Sequence, residues 1–225
     1  MRHTAIHDPA VYENKRVTVI GVGTIGSWLA QILGRMQVSM NLFDHDTVEE
    51  HNLTTQTYGA ADIGKNKVDA VLAQLELVQP ESKHLVFAQE YDMTEIEAVG
   101  TDLIVSCVDS LNARKHIADE LIKAGVELPI VDGRVGREQV EVYFFENAAA
   151  WKEQMPEQGD TDPCGARFTA YAAVEAAGFM ANNIKRFLMG EKIHAGRIIF
   201  DNASLTFIQE KYVPAAAAAP VAVAV

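Results

Sequence analysis

Three glycines, Gly21, Gly23 and Gly26, stand in the run Gly21-Val22-Gly23-Thr24-Ile25-Gly26, a spacing suited to holding phosphate. The first permits a tight turn, the second lets backbone approach a phosphate, and the third lets a helix pack close to a strand. Phosphate then meets the helix N-terminus, where N–H groups without an intrahelical acceptor and the helix dipole favour an anion. Asp44 follows at about the ~20-residue distance expected of a carboxylate that binds ribose hydroxyls. Together these residues predict nucleotide binding and leave the nucleotide open. A glycine-rich turn with Asp44 as an ordinary cap is the plainer alternative.

The elements around the loop fit that chemistry. Arg16 to Ile20 is a short β-branched run feeding into the glycines, and Ile25, Trp28, Leu29, Ile32 and Leu33 then recur at helical spacing. A second strand is expected from Val38 to Phe43, and a helix from Ile63 to Val78. A weak strand follows from Leu85 to Ala88, and a strong one from Leu103 to Val108. A helix over Ile117 to Ala124 and a strand over Pro129 to Asp132 complete the alternation. Such a βαβ rhythm predicts a Rossmann-like, doubly wound α/β fold with a mainly parallel sheet. Gly133 to Gly136 reads as a turn into an antiparallel strand over Gln139 to Phe145. Trp151 to Pro163, polar and acidic, reads as a long surface loop. A long helix over Ala170 to Met189, with Gly190 just beyond its end, precedes two closing strands, Arg197 to Asp201 and Leu205 to Tyr212. The expectation is one domain over 1–213 and a disordered Ala/Pro/Val-rich tail over 214–225, too short for a membrane span of ~20 residues.

Composition narrows the partners. The 225 residues carry 19 Lys+Arg against 31 Asp+Glu, a formal charge of −12, with no concentrated basic patch to attract nucleic acid. Two cysteines and a polar start at Met1-Arg2-His3-Thr4 predict a reducing, cytoplasmic setting without a disulfide framework or a membrane anchor. Without a CxxC pair, zinc is not expected. Cys107, inside an apolar strand, reads as buried and inert.

The run from Asp44 to Lys67 decides between nucleotides. It reads Asp44-His45-Asp46-Thr47-Val48, then Asn52-Leu53-Thr54-Thr55-Gln56, then Asp62-Ile63-Gly64-Lys65-Asn66-Lys67, and Val108-Asp109-Ser110-Leu111-Asn112-Ala113-Arg114 follows the next strong strand. With the glycine loop, this pattern resembles the E1-like superfamily of ThiF, MoeB and HesA type adenylyltransferases. Those ubiquitin-activating-like enzymes activate the C-terminal carboxylate of ubiquitin-like modifiers or sulfur carriers. The likeness runs from about Arg16 to Arg114 and is looser beyond Gly133.

Carried over by position, the resemblance implies ATP and Mg²⁺ rather than NAD. Gly21, Gly23, Gly26, Asp44, Asp46, Asn52, Gln56 and Lys67 would hold the nucleotide: Asp44 on the ribose, Asn52 and Lys67 on the triphosphate. Asp109 would bind Mg²⁺, and Lys67 and Asp109 would carry the reaction. The chemistry is coherent, because a carboxylate attacking an α-phosphate brings two anions together and needs cations to offset the charge. Taken singly, Lys67 reads as a solvated helix lysine and Asp109 as a helix N-cap. The resemblance also implies a homodimer and a partner protein, ubiquitin-like or a sulfur carrier, ending in Gly-Gly.

The chain departs from the family pattern at Thr55, where adenylating members usually carry arginine, and threonine makes no charged bidentate phosphate contact. Arg2 and Arg16, the arginines before the glycine loop, match no family position. Two further readings therefore stand beside adenylyltransferase: a catalytically silent E1-like scaffold and an NAD(P)-dependent oxidoreductase. Cys164, ahead of a helix and followed by Arg167, is the candidate for a thioester role. Arg134 and Arg137 read as residues of an exposed hairpin turn or as contacts to phosphate or acceptor. The histidines, including His45 and His51, show no triad or metal spacing.

Overall fold

β-Branched and aliphatic runs form the strands of a single sheet, and the helices between them cover both of its faces. The computed structural model describes residues 9–81, 83–90, 100–157, 169–193 and 195–211. The elements in order are β1 (Arg16–Ile20), α1 (Thr24–Arg35), β2 (Ser39–Phe43), α2 (Lys67–Val78), β3 (Leu85–Phe87), β4 (Leu103–Ser106) and α3 (Leu111–Lys123). Then come β5 (Ile130–Gly136), β6 (Gln139–Phe145), α4 (Ala148–Glu153), α5 (Ala170–Leu188), β7 (Gly196–Asp201) and β8 (Thr206–Lys211). Among the described residues the sheet has eight strands, in the order β3-β2-β1-β4-β5-β6-β7-β8. Pairing is parallel from β3 to β5 and antiparallel from β5 to β8. This is the expected doubly wound α/β fold, a parallel core extended by antiparallel strands. The strand order reverses between β1 and β4, and a crevice opens there at the carboxyl ends of the strands.

Alternation along the strands divides the core in two. Val17, Val19, Leu103 and Val105 face Leu29 and Leu33 of α1, Val71 and Leu75 of α2, and Ala176 and Met180 of α5. Ile20, Ile104, Ile130 and Phe145 face the other way, onto Ile117 and Leu121 of α3 and Trp151 of α4. Burial on both faces explains why the central strands read as continuous apolar runs. The alanines of α5 at 172, 173, 176 and 177 are fully buried, which keeps that helix close to the sheet. Among the described residues no helix is long and apolar enough to cross a membrane.

Several sequence expectations shift. Gly133 to Gly136 is not a turn but the second half of β5, paired residue for residue with β6, and the turn falls at Arg137, whose φ is 56°. Gly133 is there for packing: a Cβ would stand 2.3 Å from Met180 Sδ. Trp151, placed by its polar neighbours in a surface loop, lies in α4 and is fully buried. Helix α2 begins at Lys67, leaving Ile63 outside it and exposed, and α3 begins at Leu111, earlier than its apolar face suggested. Cys107 lies just past the end of β4, buried as expected. Cys164, Arg167 and the tail over 214–225 lie outside the described residues.

Candidate functional site

The glycine loop leaves β1 under close steric control. Gly21 has φ +89°, and a Cβ there would lie 2.9 Å from the Cys107 carbonyl oxygen. At Gly26 a Cβ would stand 2.0 Å from the Gly21 oxygen, so the first turn of α1 rests directly on the loop. Gly23 is the N-cap of α1, and no side chain caps the helix there. Among the described residues no side chain is recorded accepting from the first-turn N–H groups, which lie at the positive end of the helix dipole.

Asp44 follows β2 and fixes the loop's other side. Its Oδ2 accepts from the Val22 N–H at 2.8 Å, and its Oδ1 from the Asp46 N–H at 2.9 Å. The Tyr58 hydroxyl donates to the Val22 carbonyl at 2.6 Å. Burial, then the nearby charges of Asp44, Asp62 and Asp46, push that phenol's pKa up, so it stays a donor at any physiological pH. The strap between β2 and α2 is tied to α1 by Trp28 Nε1, which donates to the Thr55 carbonyl at 2.9 Å.

Lys67, the first residue of α2, is buried, and its Nζ lies 2.7 Å from Asp46 Oδ2. Partial burial of Asp46 opposes its ionisation, yet the hydrogen bond and charge of Lys67 outweigh this and hold the carboxyl below its usual range. Asn52 is buried in a 3₁₀ turn, where its Oδ1 accepts from the Glu49 N–H at 2.9 Å. Asp109 is exposed between β4 and α3, and it is not the helix cap: Ser110 takes that role, its Oγ accepting from the Ala113 N–H at 3.1 Å.

These residues surround one cavity of about 780 Å³, ample for a nucleotide in the range of ~300–1,000 Å³ usual for ligand pockets. Gly21, Gly23, Asp44, Asp46, Asn52, Gln56, Lys67 and Asp109 all line it, as does Thr55. Gly26 does not, being a packing residue beneath the loop. Arg16 is remote from the cavity at the start of β1, its guanidinium bound to the carbonyls of Met40 and Lys83 and to Asn41 Oδ1. Asp44, His45 and Asp46 are the one group among the described residues whose ligand atoms cluster closely enough for a metal, within 4.8 Å of one another. Asp109 belongs to no such cluster among the described residues.

One wall was not anticipated. Asp132 of β5 is fully buried and accepts from Arg114 Nε at 3.0 Å, Arg134 Nε at 2.9 Å and Trp151 Nε1 at 3.2 Å. Burial opposes its ionisation, but the two guanidiniums more than offset that and keep its pKa below the ordinary carboxylate range. Arg134 lies on a strand, half-buried and stacked 4.4 Å above the Tyr143 ring, not on an exposed hairpin turn. Both arginines line the cavity, as do His45, His51 and His116. The sequence signal was present in Asp132-Gly133-Arg134, an acid and a base two apart on one strand face, but the apparent glycine turn concealed it. Cys107 forms part of the cavity wall, with its thiol pushed upward by burial, then by Asp132, and thus unreactive.

Comparison with known proteins supplies the lineage. The model of the family described as "ThiF family" matches residues 9–219. Ubiquitin-like modifier-activating enzyme 5 of Culex quinquefasciatus is 32% identical over 120 residues, covering 46% of this chain and 30% of that protein. E. coli MccB, solved with MccA-N7isoASN, superposes with a TM-score of 0.77 at 18% identity, covering 90% of this chain and 66% of MccB. The same enzyme solved with ATP gives a TM-score of 0.74 at 20% identity, covering 90% and 65%. This chain therefore spans about a third of the modifier-activating enzyme and about two thirds of MccB.

Proposed function

This chain belongs to the ThiF family, and on that footing we propose that its cavity binds ATP with Mg²⁺ and adenylates the C-terminal carboxylate of a small protein or peptide. The substrate in this reading is a ubiquitin-like or sulfur-carrier protein ending in Gly-Gly, or a peptide, met by a cytoplasmic homodimer. The observation that carries it is the convergence of an uncapped helix N-terminus at Gly23 with Asp44, Asn52, Lys67 and Asp109 on one nucleotide-sized cavity.

In the reaction a carboxylate oxygen attacks the α-phosphorus, the new O–P bond forms, and the bond to the bridging oxygen breaks as pyrophosphate leaves. No proton need move, because the nucleophile is already an anion. Asp44 accepts from the ribose hydroxyls while its hydrogen bond from Val22 keeps the glycine loop in place. The first-turn N–H groups of α1 receive phosphoryl oxygens. Lys67, low in solvent exposure and held in one position by Asp46, presents a point charge to the triphosphate without reorganising. Asp109 would hold Mg²⁺, which supplies neutralisation of the charge growing on phosphate and pyrophosphate. Thr55 removes one cationic contact, for which about 2–4 kcal/mol of barrier is typical, so turnover is expected to be slow.

ATP–pyrophosphate exchange with a panel of Gly-Gly carriers and short peptides tests the reading. Exchange that depends on one carrier's free carboxylate supports it. ATP binding without exchange for any carrier supports instead the silent E1-like scaffold that Thr55 favours. In an exchange-competent pair, Cys164→Ser is expected to leave adenylation intact and to abolish any thioester with the carrier.

A further inference from the structure

We propose that Arg134 is the seat of the attacking carboxylate, a guanidinium on the side of the glycine loop away from Lys67 that binds the free C-terminus of the acyl substrate. This rests on the adenylation reading above.

The strand order places the groups in sequence across the top of the sheet. Asp44 and the Asp46–Lys67 pair stand at the exit of β2, the glycine loop at β1, Asp109 at β4 and Arg134 on β5. Adjacent strands are ~4.8 Å apart, so β5 lies two strand spacings, about 10 Å, from β1. In-line displacement at phosphorus puts nucleophile and leaving group on opposite sides of the reacting atom. With the α-phosphate at the glycine loop and pyrophosphate drawn toward Lys67, the nucleophile arrives from the β4–β5 side. An anion approaching an anion there needs a cation, and Arg134 and Arg114 are the arginines that line the cavity.

Of the two, Arg134 is the more exposed, 23% at its side chain against 8% for Arg114. Arg114 is buried against Asp132 and the Gly133 carbonyl, and with Arg134 it shares that single buried carboxylate. Arg134 Nη2 is the buried end of its side chain, 2.8 Å from Asp132 Oδ2 as an ion pair and without a hydrogen bond of sound geometry among the described residues. The Arg134 Cζ lies 4.4 Å from the centroid of the Tyr143 ring, a cation–π contact that helps hold the guanidinium at the cavity wall. Glu141, the cross-strand neighbour of Arg134, is bound by the Tyr143 hydroxyl and Gln139 Nε2 and does not line the cavity.

The test uses the full chain with AMPCPP and Mg²⁺, probed by acetyl-Gly-Gly and by its C-terminal amide. Calorimetry reads nucleotide affinity, and NMR of arginine Nε–Hε groups reads the dipeptides at millimolar concentration. The acid is expected to bind at least about tenfold more tightly than the amide, a preference lost in Arg134→Gln and partly kept in Arg134→Lys. AMPCPP affinity is expected to stay within about twofold in both variants. Should Arg134→Gln not fold, the wild-type Arg134 resonance still decides, moving with the acid and not with the amide. An acid preference that persists in Arg134→Gln overturns the proposal. So does a loss of AMPCPP affinity equal to the loss of acid binding, which would assign Arg134 to the triphosphate. Absence of AMPCPP binding to the wild type is a different failure, that of the nucleotide site itself.

Discussion

Asp132→Asn tests the wall of the cavity most sharply. The substitution preserves shape and leaves an oxygen for Trp151 Nε1, but removes the negative charge that Arg114 and Arg134 share. Breaking a buried ion pair by deleting one partner costs about 3–5 kcal/mol, because the remaining charge stays desolvated. Arg114 is 8% exposed at its side chain and Arg134 23%, so Arg134 regains some hydration through the cavity while Arg114 does not. The lower end, about 3 kcal/mol, is therefore expected, a fall of about 1.5 M in urea midpoint at a typical slope of ~2 kcal/mol per M. The pH dependence has a definite sign. A carboxyl with a lowered pKa in the folded state contributes stability at neutral pH that disappears as pH falls through that pKa. Wild-type and variant midpoints should consequently converge in acid. Replacing both partners, Arg114→Met with Asp132→Leu, should cost less than Asp132→Asn alone. A neutral-pH midpoint shift below about 0.5 M would refute the view that Asp132 compensates two buried guanidiniums.

Other outcomes follow from the same geometry. Gly26→Ala places a Cβ 2.0 Å from the Gly21 carbonyl, so the loop must move, and a loss of about 2–4 kcal/mol is expected in denaturant melts, together with weaker nucleotide binding. Lys67→Met should weaken ATP by about ten- to a hundredfold and leave adenosine nearly unchanged, read by calorimetry with both ligands. His84 is buried with Nδ1 accepting from the Met40 N–H at 3.2 Å, and burial, then the charge of Arg16, pull its pKa from 6.5 to about 4. Stability that it contributes above pH 6.5 should decline as pH falls toward 4, and His84→Gln should flatten that part of the melting profile.

Much of the fold could be read from local pattern. The run Arg16 to Ile20, the glycines and the helical spacing from Ile25 to Leu33 all report interactions between near neighbours, and the structure reproduces them as β1, loop and α1. The antiparallel extension was equally legible in the alternation of Gln139 to Phe145. What escaped depends on partners far along the chain. Trp151 sits in a six-residue helix, too short for periodicity to show, and its burial comes from α3 and β5. Gly133 and Gly136 carry a turn's composition, but pairing with β6 keeps them extended. Lys67 read alone as a solvated lysine; its burial depends on Asp46, 21 residues earlier. Asp132 and Arg134 stand two apart on one strand, a spacing hidden by the apparent glycine turn, whereas Arg114 reaches Asp132 from a helix and no spacing rule exposed that pair.

Adenylation as proposed requires that this cavity bind ATP, with Asp44 on the ribose. Calorimetric titration of the full chain with AMPCPP–Mg²⁺ and, separately, with NADH tests it directly, using Asp44→Ala as the control. The expected result is one saturable site for AMPCPP, no heat for NADH, and affinity at least about tenfold weaker in Asp44→Ala. NADH binding in place of AMPCPP, or AMPCPP binding unchanged by Asp44→Ala, would contradict it.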